Sequence, residues 1–281
     1  MRPLSISTAL FDGFPLERGF AEIASTGIRF VEPAFIKGYI DFDESVFSEK
    51  SAIALSSAMA AAGLETFAVS AHHDMGAVEA AEATIRRLRF ARNIGARILI
   101  TNATTESQRE QFQRNLNDVL PVCEDTGIVI ALENPGHGEG DLIASGAAGA
   151  RLIQSIGSRH LRLNYDFANA LTYSHERIKP EHDFEAALPA MAHAHLKDVL
   201  TSVDGWRFTA LGEGSIGLGE IWRQLARLAP NLPVGIELPL RLARPGRAAP
   251  RRATSPMPIE TLRDALIRSL DFLKTAETGQ S

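Results

Sequence analysis

The sequence predicts a (β/α)8 barrel built as one α/β domain, and three observations lead there. Short apolar runs recur roughly every 30 residues, helix-patterned segments separate them, and glycines stand at the joints. The length of 281 residues is close to the usual barrel size of about 250.

Taken in order, the first strand starts at Leu4, directly after Met1, Arg2 and Pro3. Gly27, Gly63, Gly95, Gly127 and Gly157 then each follow an Ala- or Leu-rich segment and precede an apolar run. The runs are Ile28 to Glu32, Leu64 to Ser70, Arg97 to Ile100, Ile128 to Glu133 and Leu161 to Asp166. Glycine just past a helix end adopts the left-handed conformation without a Cβ penalty, so each marks a helix-to-strand joint. Met191 and Pro233 open two more runs, which brings the strands to eight. Runs such as Ile128-Val129-Ile130-Ala131-Leu132 are continuously apolar, as parallel strands covered on both faces should be. The intervening segments carry helical spacing, for example Leu116, Val119, Leu120 and Cys123, or Leu262, Leu266, Leu270 and Leu273. A doubly wound open sheet shares this alternation and is the alternative fold.

No linker or composition break divides residues 1–281, so one domain is expected. A basic loop at 240–257 precedes its final helix. Arg241, Arg244, Arg247, Arg251 and Arg252 fall there, with no acid between Leu238 and Ile259. Two readings stay open: a lid reaching for an anionic substrate group, or a solvated surface loop or oligomer contact.

Composition narrows the function. With 29 Lys+Arg against 34 Asp+Glu, a net charge of −5, 45% hydrophobic and 22% charged residues, the chain is an ordinary globular one. Its pI of about 5.9 argues against a dedicated nucleic-acid binder, which needs clustered cations. The lone Cys123 cannot form an intrachain disulfide and the N-terminus lacks a signal-peptide pattern, so a reducing cytoplasm is the expected compartment. No apolar run approaches the roughly 20 residues needed to span a bilayer, so no membrane partner is expected.

In a barrel, reactive groups sit at the C-terminal ends of the strands. The fifth strand ends in Glu133, the sixth in Asp166, the seventh passes through His195 and the eighth ends in Glu237. Three carboxylates on one rim would repel one another and take up protons unless a cation held them ionised. One divalent metal ion meets that need. Oxygen-dominated ligation with one imidazole suits Mn²⁺ first, with Mg²⁺, Co²⁺ or Zn²⁺ as alternatives.

The segments Ala131-Leu132-Glu133-Asn134, Asn164-Tyr165-Asp166-Phe167-Ala168-Asn169, His193-Ala194-His195-Leu196-Lys197-Asp198, Leu211-Gly212-Glu213-Gly214 and Gly235-Ile236-Glu237 resemble the xylose isomerase-like superfamily of sugar isomerases and epimerases. The resemblance spans nearly the whole chain. It implies that Glu133, Asp166, His195 and Glu237 ligate the metal, with Glu133 and Glu237 doubling as catalytic acid and base. It also implies substrate contacts for His72, for Asn169, which stands where many relatives carry histidine, and for Arg207. Lys197 shares strand parity with His195 and should face the same site, whereas His73 should point away. His193 shares the parity one layer deeper and reads as a packed core histidine. The glycine-rich loop from Asn134 through His137 to Gly140 is a further candidate for ligand contact, and Phe11, Phe35 and Trp206 are candidate apolar walls.

The expected chemistry is proton transfer through an enediolate on a small carbohydrate or keto acid. Glu133 and Glu237 approach from different strands, so one removes the proton beside a carbonyl. The other returns it to the opposite face for epimerisation, or to the neighbouring carbon for isomerisation. Three alternatives remain. They are a dehydratase expelling a β-hydroxyl from a keto-sugar or cyclic keto-polyol, an enzyme resembling the barrel endonuclease that cuts DNA at abasic sites, and a non-catalytic sugar-binding barrel. A homo-oligomer is compatible with the sequence.

Overall fold

A computed structural model describes residues 2–134 and 139–278. Its strands are β1 (Leu4–Ser7), β2 (Phe30–Glu32), β3 (Ala34–Phe35), β4 (Ala68–Asp74), β5 (Ile98–Asn102), β6 (Val129–Glu133), β7 (Leu161–Asp166), β8 (Met191–Leu196), β9 (Asp198–Ser202), β10 (Gly205–Thr209), β11 (Val234–Ile236), β12 (Leu242–Pro245) and β13 (Arg251–Arg252). Nine of them form one parallel sheet in the order β2-β1-β11-β8-β7-β6-β5-β4-β3. The two ends of that order, β2 and β3, are one passage of chain interrupted at Pro33, which has no N–H to give to a ladder. The Val31 amide donates to Glu65 O at 2.9 Å and the Ser70 amide to Pro33 O at 3.0 Å, which closes the sheet into a barrel.

Helices α1 (Leu16–Ser25), α2 (Glu49–Ala61), α3 (Ala80–Asn93), α4 (Arg109–Thr126), α5 (Gly146–Ile156), α6 (Phe167–Tyr173), α7 (Pro180–Ala187), α8 (Leu218–Leu228) and α9 (Ile259–Thr278) cover its outside. The joints form as their glycines require: Gly127 and Gly157 end α4 and α5 at φ 72° and 71°. Strand parity then divides the core. Ile130 and Leu132 of β6 join the large apolar layer under the helices, with Leu116, Val119 and Cys123 of α4. Ala131 faces the axis and packs with Ala68, Ile98 and Ile100 in a small inner plug. Above that plug the same parity delivers polar side chains.

The third predicted strand lies later than expected, because pairing with β5 begins only at Ala68↔Ile98. The stretch read as a basic loop is also partly ordered: β12 and β13 join the β9–β10 hairpin in an antiparallel sheet of order β13-β12-β10-β9. No described helix is long and apolar enough to cross a membrane.

Candidate active site

Four side chains from consecutive barrel strands meet on the axis. His195 Nδ1 lies 2.9 Å from Glu133 Oε2, 3.9 Å from Asp166 Oδ2 and 3.9 Å from Glu237 Oε2. Glu133 and Asp166 are the last residues of β6 and β7, and Glu237 directly follows β11, its amide continuing the ladder to Leu196 O at 3.0 Å. All four are buried. Lys197, two residues beyond His195, turns the same way and places Nζ 2.7 Å from Asp166 Oδ2 and 2.6 Å from Glu237 Oε2. The contact with Glu237 is a hydrogen bond, while that with Asp166 is ionic contact without hydrogen-bond direction.

Neighbouring side chains fix these groups. Asn169 Nδ2 donates to Glu133 Oε1 at 2.8 Å, and its amide donates to Asp166 Oδ1 at 2.8 Å. Asn164 Nδ2 donates to Glu133 Oε2 at 2.6 Å, and Asn164 Oδ1 meets His193 Nδ1 at 2.8 Å. Below His195 stands Glu32, the end of β2, whose Oε1 meets His195 Nε2 at 2.8 Å and accepts from Ser70 Oγ at 2.8 Å. This arrangement depends on Gly235, where a Cβ would come within 2.6 Å of Glu32 Oε2. The Lys197-Asp198 and Gly212-Glu213-Gly214 motifs meet as well: Asp198 accepts from the Gly212 and Gly214 amides at 2.9 and 3.1 Å. A Cβ at Gly214 would collide with the Asp198 carboxylate.

A cavity of about 230 Å³ opens onto this cluster, lined by Ile36, Tyr39, His72, Glu133, Asn169, Tyr173, Glu237 and Pro250 among others. His72 Nε2 stands 3.8 Å from Glu133 Oε2. His73 points away, as parity requires, to Thr84 Oγ1 at 2.8 Å.

Not every expected residue arrives. Arg207 is exposed on β10, because alternation turns Trp206 and Phe208 inward, and it borders a separate groove with Leu200 and Arg268. Phe35 packs in an aromatic cluster with Phe42, Phe47 and Phe90, Phe11 borders a different cleft, and the Trp206 indole donates to Glu176 Oε1 at 2.9 Å. The cavity walls are Ile36, Tyr39, Tyr173 and Pro250 instead. In the glycine-rich loop after β6, Pro135 to Gly138, His137 included, lie outside the described residues.

A family model described as a xylose isomerase-like TIM barrel matches residues 20–272. The chain belongs to that family. Comparison with curated proteins gives no sequence match. Among solved structures, this xylose isomerase-like barrel is similar to D-psicose 3-epimerase with D-tagatose from Clostridium cellulolyticum H10 (14% identity, 98% of this chain and 99% of that one, TM-score 0.74). It is also similar to a xylose isomerase-like TIM barrel protein from Mycobacterium smegmatis in complex with magnesium (14%, 99% and 98%, 0.72). A third similar structure is the probable 3-DHS dehydratase involved in petrobactin synthesis from Bacillus anthracis (16%, 98% and 98%, 0.65).

The electrostatics of this xylose isomerase-like site suit a divalent cation. Burial pushes Glu32 and Glu133 up, but neighbouring histidines outweigh it: Glu32 falls to about 2, and Glu133 stays well below the carboxylate range. Burial, with Glu133 and Glu237 nearby, raises Asp166 to about 7 against the pull of Lys197. Burial alone would keep His195 and Lys197 neutral, yet the surrounding carboxylates raise both. Four carboxyl groups thus face two cations, and Glu237 Oε1 is buried without a partner. One atom each from Glu133, Asp166 and His195 lies within 4.8 Å of the others, spacing that can hold a metal ion. Glu32 would orient His195 from behind, as carboxylates behind ligating histidines do.

Sequence reading missed Glu32, Asn164, Tyr39 and Tyr173. Glu32 carried a signal, since it ends an apolar run in the manner of Glu133 and Asp166, and so did Asn164, which shares strand parity with Asp166.

Proposed function

We propose that the protein is a divalent-metal-dependent isomerase or epimerase of a sugar or keto-sugar, working by proton transfer beside a carbonyl. The observation that carries this reading is the convergence of Glu133, Asp166 and Glu237 on His195 Nδ1 beside a small cavity that Glu133 and Glu237 line. The epimerases among the solved structures of similar fold support it.

Glu133, Asp166, His195 and Glu237 would hold the metal, Mn²⁺ foremost, which when bound stabilises negative charge developing on substrate oxygens. Glu133 and Glu237 both border the cavity, and β7 and β8 separate their strands. They reach a substrate from different sides, so one takes the proton and the other returns it. His72 and Asn169 would bind hydroxyls, and burial lowers His72 so that it serves as a neutral partner.

A second reading, dehydration of a keto-sugar or cyclic keto-polyol, is supported by the probable 3-DHS dehydratase among the solved structures of similar fold. Incubating protein loaded with Mn²⁺, Mg²⁺, Co²⁺ or Zn²⁺ with ketoses and cyclic keto-polyols in D₂O tests both. Deuterium at an epimerised or isomerised carbon supports the first reading, loss of water the second, and neither result with any metal overturns both.

A further inference from the structure

The arginines of the stretch after β11 are mostly accounted for by the fold. Arg241 and Arg252 pair with Asp12 at 3.1 and 2.6 Å, Arg252 also with Asp41 at 2.7 Å, and Arg247 with Glu176 at 3.0 Å. Arg251 is exposed to solvent. Arg244 is different. It is 5% exposed, forms no ion pair among the described residues, and its Nη1 is buried without a hydrogen-bond partner. Its Nε donates to Ala248 O at 2.8 Å, and its guanidinium packs 4.3 Å from the Tyr173 ring and 5.0 Å from the Trp206 ring. Tyr173 lines the cavity, together with Tyr39 and with Pro250 of the same stretch.

We propose that Arg244 recognises an anionic group of the substrate, so that the cavity takes a keto sugar acid in preference to a neutral ketose. This rests on the proton-transfer reading of the site and names its substrate class. Burying a cation without a counter-ion is costly, and stacking on two rings offsets only part of that cost. The undescribed loop residues 135–138 contain no acid that could supply the missing charge. A ligand carboxylate can. It matches the planar guanidinium fork, and its single negative charge matches one unpaired arginine, whereas a phosphate dianion would call for more cations.

The test compares D-fructuronate and 2-keto-D-gluconate with D-fructose, the ketose in which the acid group is replaced by a primary alcohol. Binding to the Mn²⁺-loaded full chain is measured by calorimetry, independently of turnover. The wild type should bind at least one acid roughly tenfold more tightly than D-fructose, the scale of one charge-assisted contact. Arg244→Met should bring that ratio close to one with D-fructose binding unchanged, and Arg247→Gln should leave it intact. If Arg244→Met does not fold, Arg244→Lys replaces it, with partial loss of the acid preference expected. The proposal is overturned if neither acid outcompetes D-fructose, if the preference is undiminished in the Arg244 variant measured, or if only inorganic phosphate competes. Deuterium exchange into D-fructose without acid preference would sink this proposal and leave the proton-transfer reading standing. Arg244-dependent acid binding without exchange into any substrate would do the reverse.

Discussion

Glu32 Oε1 and His195 Nε2 meet at 2.8 Å, fully buried, although 163 residues separate them in the chain. The pair fixes which imidazole nitrogen is left to face Glu133, Asp166 and Glu237. Replacing Glu32 with Gln should weaken Mn²⁺ binding by about 10- to 100-fold, the usual effect of losing such a supporting carboxylate. Calorimetric titration of the variant decides this, and unchanged affinity would remove Glu32 from the site.

Glu133→Gln and Glu237→Gln keep shape but cannot carry a proton. Each should slow solvent deuterium exchange into a turned-over substrate by about 100-fold or more, the range expected for a positioned acid or base. Exchange at near wild-type rate in either variant would assign that carboxylate to binding alone.

Lys197 holds Asp166 and Glu237 at 2.7 and 2.6 Å. In metal-free protein, Lys197→Met strands two buried carboxyl groups and should cost roughly 3–5 kcal/mol. Added Mn²⁺ should restore more stability to this variant than to the wild type, because it supplies the missing charge. Denaturant titrations with and without the ion test this, and equal restoration in both proteins would contradict it.

His73 gives a pH dependence away from the cluster. Burial depresses its pKa to about 4, whereas an unfolded histidine titrates near 6.5. Between those values the unfolded state binds the extra proton, so this contribution is fully present above pH 6.5 and is lost as pH falls toward 4. The loss between pH 7.5 and 5 should be roughly 2 kcal/mol at most. His73→Gln should flatten the stability profile across that window in urea unfolding experiments, and a profile parallel to the wild type would exclude His73 as the cause.

Much of the barrel was legible because its signals are local. A glycine such as Gly127 ends a helix by its own backbone freedom, and a run such as Val129–Glu133 announces a two-face-covered strand by composition alone. Strand-end position and parity likewise singled out Glu133, Asp166, His195 and Glu237, and the fold brings them together. The resemblance misplaced Arg207, because β10 belongs to the small antiparallel sheet and turns that side chain to solvent.

Composition and periodicity by themselves determined the alternating architecture and put Glu133, Asp166, His195 and Glu237 at or near strand ends, since both follow from contacts within one strand or one helix turn. Tertiary structure alone decided that Glu32 backs His195, that Lys197 lies between Asp166 and Glu237, and that Arg244 is buried with no carboxylate partner among the described residues. Such pairings depend on side-chain distances between strands that only closure of the barrel brings together, and Coulomb energy in a buried site is set by those distances.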